Sequence, residues 1–305
     1  MGDGMRFLDK MVVWSLPLVP KPLVGFFSRD YIAGSEMKDA LDIVKELNGK
    51  GIMVTLDLLG EEVTHKEQST AAADEYIRML EEINRLKLDS NISLKPTHMG
   101  LLLDNAFCYD TIERIVKKAA ELNNFVRIDM EDHTTTSNTI DFYLRLKEKY
   151  NGHVGTVIQA YLRRTNDDIE HLMRHQANLR LCKGIYVEPR EVAFKDMAII
   201  NESYKYNLER LLRCEGCYVG IATHDEKLVW HAQRLIHDLK IPREKYEFQM
   251  LLGVDPQLRD IIVKAGHRLR VYVPYGREWY AYSIRRLKEN PRMAGMVFKK
   301  VFGLD

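Results

Sequence analysis

From Gly51 to Gly276 the chain repeats one event, an apolar run of strand length followed by a longer stretch with helical periodicity. The runs are GIMVTLDLLG, NISLKPTHMG, FVRIDMEDH, VGTVIQAYL, LRLCKGIYVE, CYVGIATHD, YEFQMLLG and RLRVYVPYG, about eight in all. Between them lie amphipathic segments such as TAAADEYIRMLEEINRLK and NTIDFYLRLKEKY, whose apolar residues recur at helical spacing. Strands separated by helices cannot pair as hairpins, so the alternation calls for a parallel sheet with helices on its faces. Eight such units over roughly 250 residues have the size of a closed β/α barrel. A doubly wound open sheet is the alternative. The count favours the barrel, and so does the lack of GxGxxG or GxxxxGK(S/T) after any run, since open sheets of that kind mark their site with glycine-rich phosphate loops. A helix pattern from Glu36 to Leu47 precedes the first strand. It divides the chain into an N-terminal helical segment, residues 1–48, that packs on a barrel spanning residues 49–305.

Charge and cysteine content narrow the function classes. Lys and Arg number 45 against 44 Asp and Glu, a net charge of +1, and the two signs are interleaved, which leaves no basic stripe for nucleic acid. Four cysteines in 305 residues are too few for a disulfide framework and fit a reducing compartment. Cys214 and Cys217 have the CxxC spacing of redox and zinc sites, but a lone pair also fits a turn before a strand. The early apolar segment MVVWSLPLVPKPLVGFF is interrupted by Pro17, Pro20 and Pro22. It is too short to span a bilayer and has no small-residue cleavage site. The expectation is a cytoplasmic protein, with this segment either packed on the domain or touching a membrane surface.

The strand runs start apolar and finish on polar or ionisable residues: Asp57, Lys95 and His98, Asp129 to His133, Gln159, Lys183 and Tyr186, Thr223 to Asp225, Glu247 and Gln249, and Tyr272. In a barrel these ends share one rim, and burying a polar group there costs about 1–3 kcal/mol unless it finds a partner. Such density implies a site. Lys95 suits an ion pair as well as a ligand contact. His98, His133 and His224 invite a metal reading, but neither HxH nor HExxH spacing supports it.

After the last run, Pro274 and Gly276 mark a turn into the aromatic, basic helix pattern REWYAYSIRRLKENP. Tyr282, Arg285, Arg286 and Glu289 fall at i, i+3, i+4 and i+7 and therefore share one face. That face is either a solvated ion-pair face or a clamp for a small anion, in which paired guanidiniums bind a carboxylate and Glu289 holds their forks in place.

The segments SLKPTHMG, RIDMEDH, VIQAYLRRT, LRLCKGIYVEP, IATHD, EFQMLLG and RVYVPYG followed by WYAYSIRRLKE occur in order on successive expected strands. Together they resemble the proline dehydrogenase family, flavin-dependent enzymes that begin proline catabolism. The resemblance runs from roughly TLDLLGE to Pro291, and the chain's length is that of the monofunctional bacterial form. It implies a distorted (β/α)8 barrel with N-terminal helices and its last helix over the rim, bound FAD, and oxidation of L-proline to 1-pyrroline-5-carboxylate by hydride transfer from C5 to flavin N5. By match to the family's motifs, Met130, Gln159, Arg180, Lys183, Gly184, Ile185, Thr223 and His224 would contact the cofactor. Arg285 and Arg286 would clamp the substrate carboxylate with Lys95 and Glu289, while Tyr272 and Tyr282 wall the ring. Asp129 would be the active-site acid, and Arg180 would stabilise the reduced, more anionic flavin. The resemblance further implies a quinone as electron acceptor, reached at the membrane surface. Two positions depart from the family's usual pattern: Pro96 stands where Leu is usual, and Ile185 where Ala is usual. A branched side chain at the second would narrow the substrate pocket.

Two other readings make different predictions. An aldolase-like barrel using Lys95 or Lys183 as a Schiff base would be colourless and trapped by borohydride with a carbonyl substrate. A catalytically silent ligand-binding barrel or scaffold would hold no reducible flavin.

Overall fold

The computed structural model describes residues 30–60, 63–280, 283 and 284 of the chain. Eight strands form a closed parallel barrel in chain order: β1 Met53–Leu58, β2 Ser90–Leu94, β3 Val126–Ile128, β4 Val154–Gln159, β5 Asn178–Cys182, β6 Tyr218–Ala222, β7 Tyr246–Leu251 and β8 Leu269–Tyr275. β8 returns to β1 through a register that sets Thr55 opposite Tyr272, so the doubly wound alternative is excluded. The helices are α1 Met37–Gly49, α2 Lys66–Arg85, α3 Asn105–Glu121, α4 Thr136–Lys149, α5 Thr165–Arg174, α6 Met197–Arg213, α7 Glu226–Asp238 and α8 Pro256–Lys264.

Helix starts follow local chemistry. Asp104, Asp196, Asp225 and Asp255 cap α3, α6, α7 and α8, each accepting a hydrogen bond from a backbone N–H of the first turn. α8 also has Pro256 in its first turn, where the missing N–H costs nothing. The CxxC pair closes a turn between α6 and β6, with Cys217 N donating to Cys214 O at 3.3 Å. Both thiols are free.

The main core lies between the barrel wall and the helices. Val54, Leu56, Ile92, Leu94, Ile128, Leu179, Leu181 and Val271 alternate with polar neighbours and, with Ile221, pack outward with helix residues such as Tyr76, Leu80, Ile112, Leu146 and Leu208. α1 buries Ala40, Leu41, Val44 and Leu47 and packs against β1 and β8. It therefore covers the seam that the helix following β8 covers in a regular barrel. Ahead of it the chain crosses the end of β8, Ala33 N donating to Pro274 O and Gly276 N to Gly34 O, both at 2.9 Å. The expected helix after Gly276 falls mostly outside the described residues.

The barrel interior is polar where branched aliphatics usually fill such barrels. Near its N-terminal end, Arg127 donates to Thr156 O at 2.9 Å, Asn178 O at 2.8 Å and Asn178 Oδ1 at 2.7 Å. Burial, with Arg180 nearby, pulls its guanidinium down to about 9. Arg270 donates to Glu247 Oε1 at 2.7 Å and to Val54 O at 2.7 Å, and Tyr218 OH donates to Glu247 Oε2 at 2.7 Å. Two glycines leave room for these side chains. A Cβ on Gly155 would lie 2.4 Å from Arg127 Nη1, and one on Gly220 would lie 2.6 Å from Gln249 Nε2. Glu247, grouped with the rim residues by sequence, thus belongs to the barrel floor. It is the second residue of β7, and strand alternation gives a residue its face but not its height.

Candidate active site

At the C-terminal ends of the strands a cavity of about 410 Å³ opens, within the range of cofactor and small-molecule pockets. It gathers Lys95, Asp129, Met130, Gln159, Arg180, Lys183, Gly184, Ile185, Thr223, His224 and Tyr272 along its wall, residues spread over 178 positions of sequence from Lys95 to Tyr272. Tyr282, Arg285, Arg286 and Glu289 lie outside the described residues.

One side of the cavity is a connected charge cluster. Lys95, the residue after β2, turns inward and donates to both oxygens of Asp57 at 2.8 and 2.7 Å. It also lies 3.4 Å from Tyr272 OH, which donates to Asp129 Oδ2 at 2.9 Å. Asp129 Oδ1 accepts from Ser93 Oγ at 2.6 Å and from Arg180 Nη1 at 2.7 Å. The Arg180 guanidinium carbon sits 5.2 Å from the centre of the Tyr272 ring, within cation–π range. Bonds joining β3, β5, β7 and β8 can only run through the barrel interior. Arg180 completes its contacts with Nε donating to Gln249 Oε1 at 2.5 Å.

These contacts set protonation states. Burial works against the Lys95 ammonium, but Asp57, Asp129 and Glu131 outweigh it and hold its pKa above the ordinary lysine value. A Schiff-base lysine must lose its proton readily, so Lys95 is ill suited to that role, and Lys183 is engaged by Asp225 at 2.7 Å. Burial and Asp129 push the Asp57 carboxyl upward, while Lys95 opposes them. Cys182, also on the wall, is pushed up to about 11 by burial and stays a thiol.

The expected cofactor residues adjoin this cluster on the cavity wall. Gln159, the last residue of β4, donates through Nε2 to Met130 O at 3.3 Å and Glu131 O at 3.1 Å. Its Oε1 is buried without a partner. An orphaned acceptor of this kind costs about 1–3 kcal/mol, and a donor on whatever fills the cavity would recover it. Lys183, Gly184 and Ile185 were expected to continue a strand. β5 instead stops at Cys182, and these three open the following loop, where Gly184 takes a φ of +101° that side chains disfavour. Ile185 is 43% exposed at the cavity mouth. His224 Nε2 accepts from Leu251 N at 2.8 Å, which assigns the ring proton to Nδ1.

The two remaining histidines of the metal reading serve other ends. His133 pairs through Nδ1 with Glu188, joining two rim loops. His98 is buried against Gly60, where a Cβ would lie 2.0 Å from its Cε1, and its Nδ1 has no partner. Pro96 starts the turn behind Lys95, its carbonyl accepting from Met99 N and Leu101 N, both at 3.0 Å. Thr97 ties that turn to Glu131 at 2.8 and 2.6 Å. Sequence reasoning gave no role to Asp57, Ser93 or Gln249. Asp57 and Gln249 were visible only as polar strand residues, and their partners depend on register.

The proline dehydrogenase family model matches residues 40–298 of the chain. The chain is 38% identical over 294 residues to proline dehydrogenase 2 of Bacillus subtilis (strain 168), an alignment covering 96% of this chain and 94% of that protein. It is 36% identical over 277 residues to proline dehydrogenase of Deinococcus radiodurans, covering 88% and 87% respectively. Among solved structures, it superposes on proline utilization A (PutA) from Bdellovibrio bacteriovorus inactivated by N-propargylglycine, with a TM-score of 0.81 and 23% identity. That match covers 87% of this chain but 32% of the solved one. It is a likeness of fold alone.

Proposed function

The chain belongs to the proline dehydrogenase family, and from that premise we propose that its cavity oxidises L-proline to 1-pyrroline-5-carboxylate with FAD as hydride acceptor. The single observation that carries the reading is the Lys95–Tyr272–Asp129–Arg180 cluster, backed by Asp57, on the wall of a cavity with an orphaned acceptor, Gln159 Oε1, elsewhere on that wall. The residues present fit the cofactor. The volume suits a planar ring with a small substrate, and Gln159 Oε1 is matched by a ring imide N–H such as a flavin carries.

FAD, when bound, supplies a two-electron acceptor that takes the C5 hydride while the ring nitrogen gives up a proton and the C5–N double bond forms. Everything else falls to the chain. Lys95 and Arg180 bring positive charge to the cavity, and Arg180 suits stabilising the negative charge that a reduced acceptor gains. Tyr272 offers an aromatic face to a saturated ring, with its hydroxyl held by Asp129 at 2.9 Å. By sequence, Arg285 and Arg286 carry the carboxylate clamp, Glu289 orients it and Tyr282 adds a second wall. Lys183, Gly184, Ile185, Met130, Thr223 and His224 complete the cofactor's surroundings. The electrons then pass to a quinone, taken up at a membrane surface by a protein whose described helices include none long and apolar enough to cross one.

The test is a visible spectrum of the purified protein before and after L-proline is added without oxygen. Flavin absorption that bleaches establishes the reading. A flavin that stays oxidised moves the substrate away from proline, and a protein with no flavin after attempted reconstitution overturns it.

A further inference from the structure

Arg180 is held from two sides, by Asp129 and by Gln249, and both line the cavity. Nη1 reaches Asp129, while Nε donates to Gln249 Oε1 at 2.5 Å. The other end of the same amide, Gln249 Nε2, donates to Glu247 Oε1 at 2.6 Å. Glu247 is itself gripped by Arg270 through Nε at 2.7 Å and Nη2 at 3.2 Å, and by Tyr218 OH at 2.7 Å. Arg180, Gln249 and Glu247 are all buried.

This placement leaves the Gln249 amide a single orientation. A guanidinium can only donate and an ionised carboxylate can only accept, so an amide between them must turn its oxygen to Arg180 and its nitrogen to Glu247. Glu247 stays ionised because, although burial raises its pKa, Arg270 and its other partners bring it down to about 2. A flipped amide would set donor against donor and acceptor against acceptor. Gly220 leaves the space the amide occupies.

We infer that Gln249 is a positioning residue for the reaction: its amide, pinned by Glu247 on the barrel floor, fixes the plane of the Arg180 guanidinium and so aims Nη1 at Asp129 and the cavity. This rests on the proposed flavin site, where Arg180 acts on the acceptor. The segment EFQMLLG carries both residues, but neither their contact with each other nor the one with Arg180 can be read from it. The relation follows from the i, i+2 spacing of Glu247 and Gln249 on one face of β7, which stacks the floor charge directly beneath the amide.

Two measurements test it, one of them without cofactor. In apoprotein carrying ¹⁵N-arginine, the Arg180 Nε–H resonance, assigned by its loss in Arg180→Lys, should be protected from solvent exchange. Gln249→Met, similar in size but without donor or acceptor, should speed that exchange by about tenfold or more, the loss expected when a buried hydrogen bond is removed. In the flavin-loaded enzyme the same variant should lower kcat by about 10- to 100-fold, change the proline KM far less, and make the flavin midpoint potential more negative. Gln249→Glu keeps an acceptor for Arg180 at every pH. It should recover part of kcat at low pH, where it shares a proton with Glu247, and lose it as pH rises and the two adjacent carboxylates, both ionised, repel each other out of position. If Gln249→Met does not fold, the pH-dependent recovery in Gln249→Glu carries the test. An Arg180 Nε–H that exchanges equally fast in wild type and variant overturns the proposal, whether or not the protein binds flavin. Unchanged kcat and potential in Gln249→Met overturn it as well. A wild-type protein that proline does not bleach, with Arg180 still protected by Gln249, would instead count against the flavin reading alone.

Discussion

Lys95 Nζ stands 2.8 and 2.7 Å from the two oxygens of Asp57, a residue 38 positions earlier on the neighbouring strand. Both side chains are buried. Removing one partner of such a pair leaves an uncompensated charge and costs about 3–5 kcal/mol. Asp57→Asn and Lys95→Met should each destabilise the protein on that scale in urea unfolding. The double variant should fall short of the summed losses by about 0.5–3 kcal/mol. Strict additivity would mean that the two do not depend on each other.

Gly155 should tolerate no side chain. A Cβ there meets Arg127 Nη1 at 2.4 Å and the backbone oxygen of Asn178 at 2.7 Å, and the second atom cannot swing away. Overpacking of this kind costs about 1–3 kcal/mol, to which Gly155→Ala adds any Arg127 hydrogen bonds it displaces. The expected result is a lower urea midpoint with an unchanged slope. A variant as stable as wild type would show that the floor yields.

Arg127 and Glu247 show where sequence reasoning stops. The alternation that predicts a barrel needs only the apolar residues facing the helices, and that half of each strand was legible, as were the polar strand ends that became the cavity wall. The inward half was not. Arg127 sits in the run FVRIDM and Glu247 in YEFQM, and nothing local separates a residue at the floor from one at the rim. Height comes from the register between strands, such as Asp57 opposite Ser93 and Gln249 opposite Arg270. That register also places Lys95, two residues beyond Ser93 on the same face, beside Asp57. Lys183 to Ile185 were misread as strand because Ile185, Tyr186 and Val187 prolong a β-prone run past Gly184.

Ile185 at the cavity mouth bears on substrate size. Replacing it with Ala removes three carbons from the wall, so Ile185→Ala should lower the KM for proline analogues bulkier than proline by about 10-fold or more, on the scale of one to three kcal/mol per pocket methylene. Proline itself should change less. Steady-state kinetics with proline and hydroxyproline would check this, and equal effects on both would remove Ile185 from the substrate wall.

Acid should weaken the fold in two successive stages, carried by different residues. Burial, helped by Lys95, lowers His98 from 6.5 to about 4, and its Nδ1 has no partner to favour the cation. Between those values the unfolded chain binds a proton that the folded chain refuses. The stability is therefore whole above pH 6.5 and falls as pH drops towards 4, by about 3 kcal/mol. Glu247 follows. Its pKa drops from 4.5 to about 2, so what it contributes is present above pH 4.5 and disappears as pH falls through 2. Urea unfolding at pH 7, 5.5, 4 and 2.5 separates the two. His98→Gln should flatten the first stage, its deficit against wild type shrinking or reversing by pH 4, because a residue that does not titrate cannot draw protons into the unfolded state. Glu247→Gln should leave that first stage intact while lowering stability at every pH above 4.5. Should His98→Gln lose as much stability as wild type between pH 6.5 and 4, the proton taken up on unfolding belongs to another group, and the buried imidazole under Gly60 is not what makes the fold sensitive to mild acid.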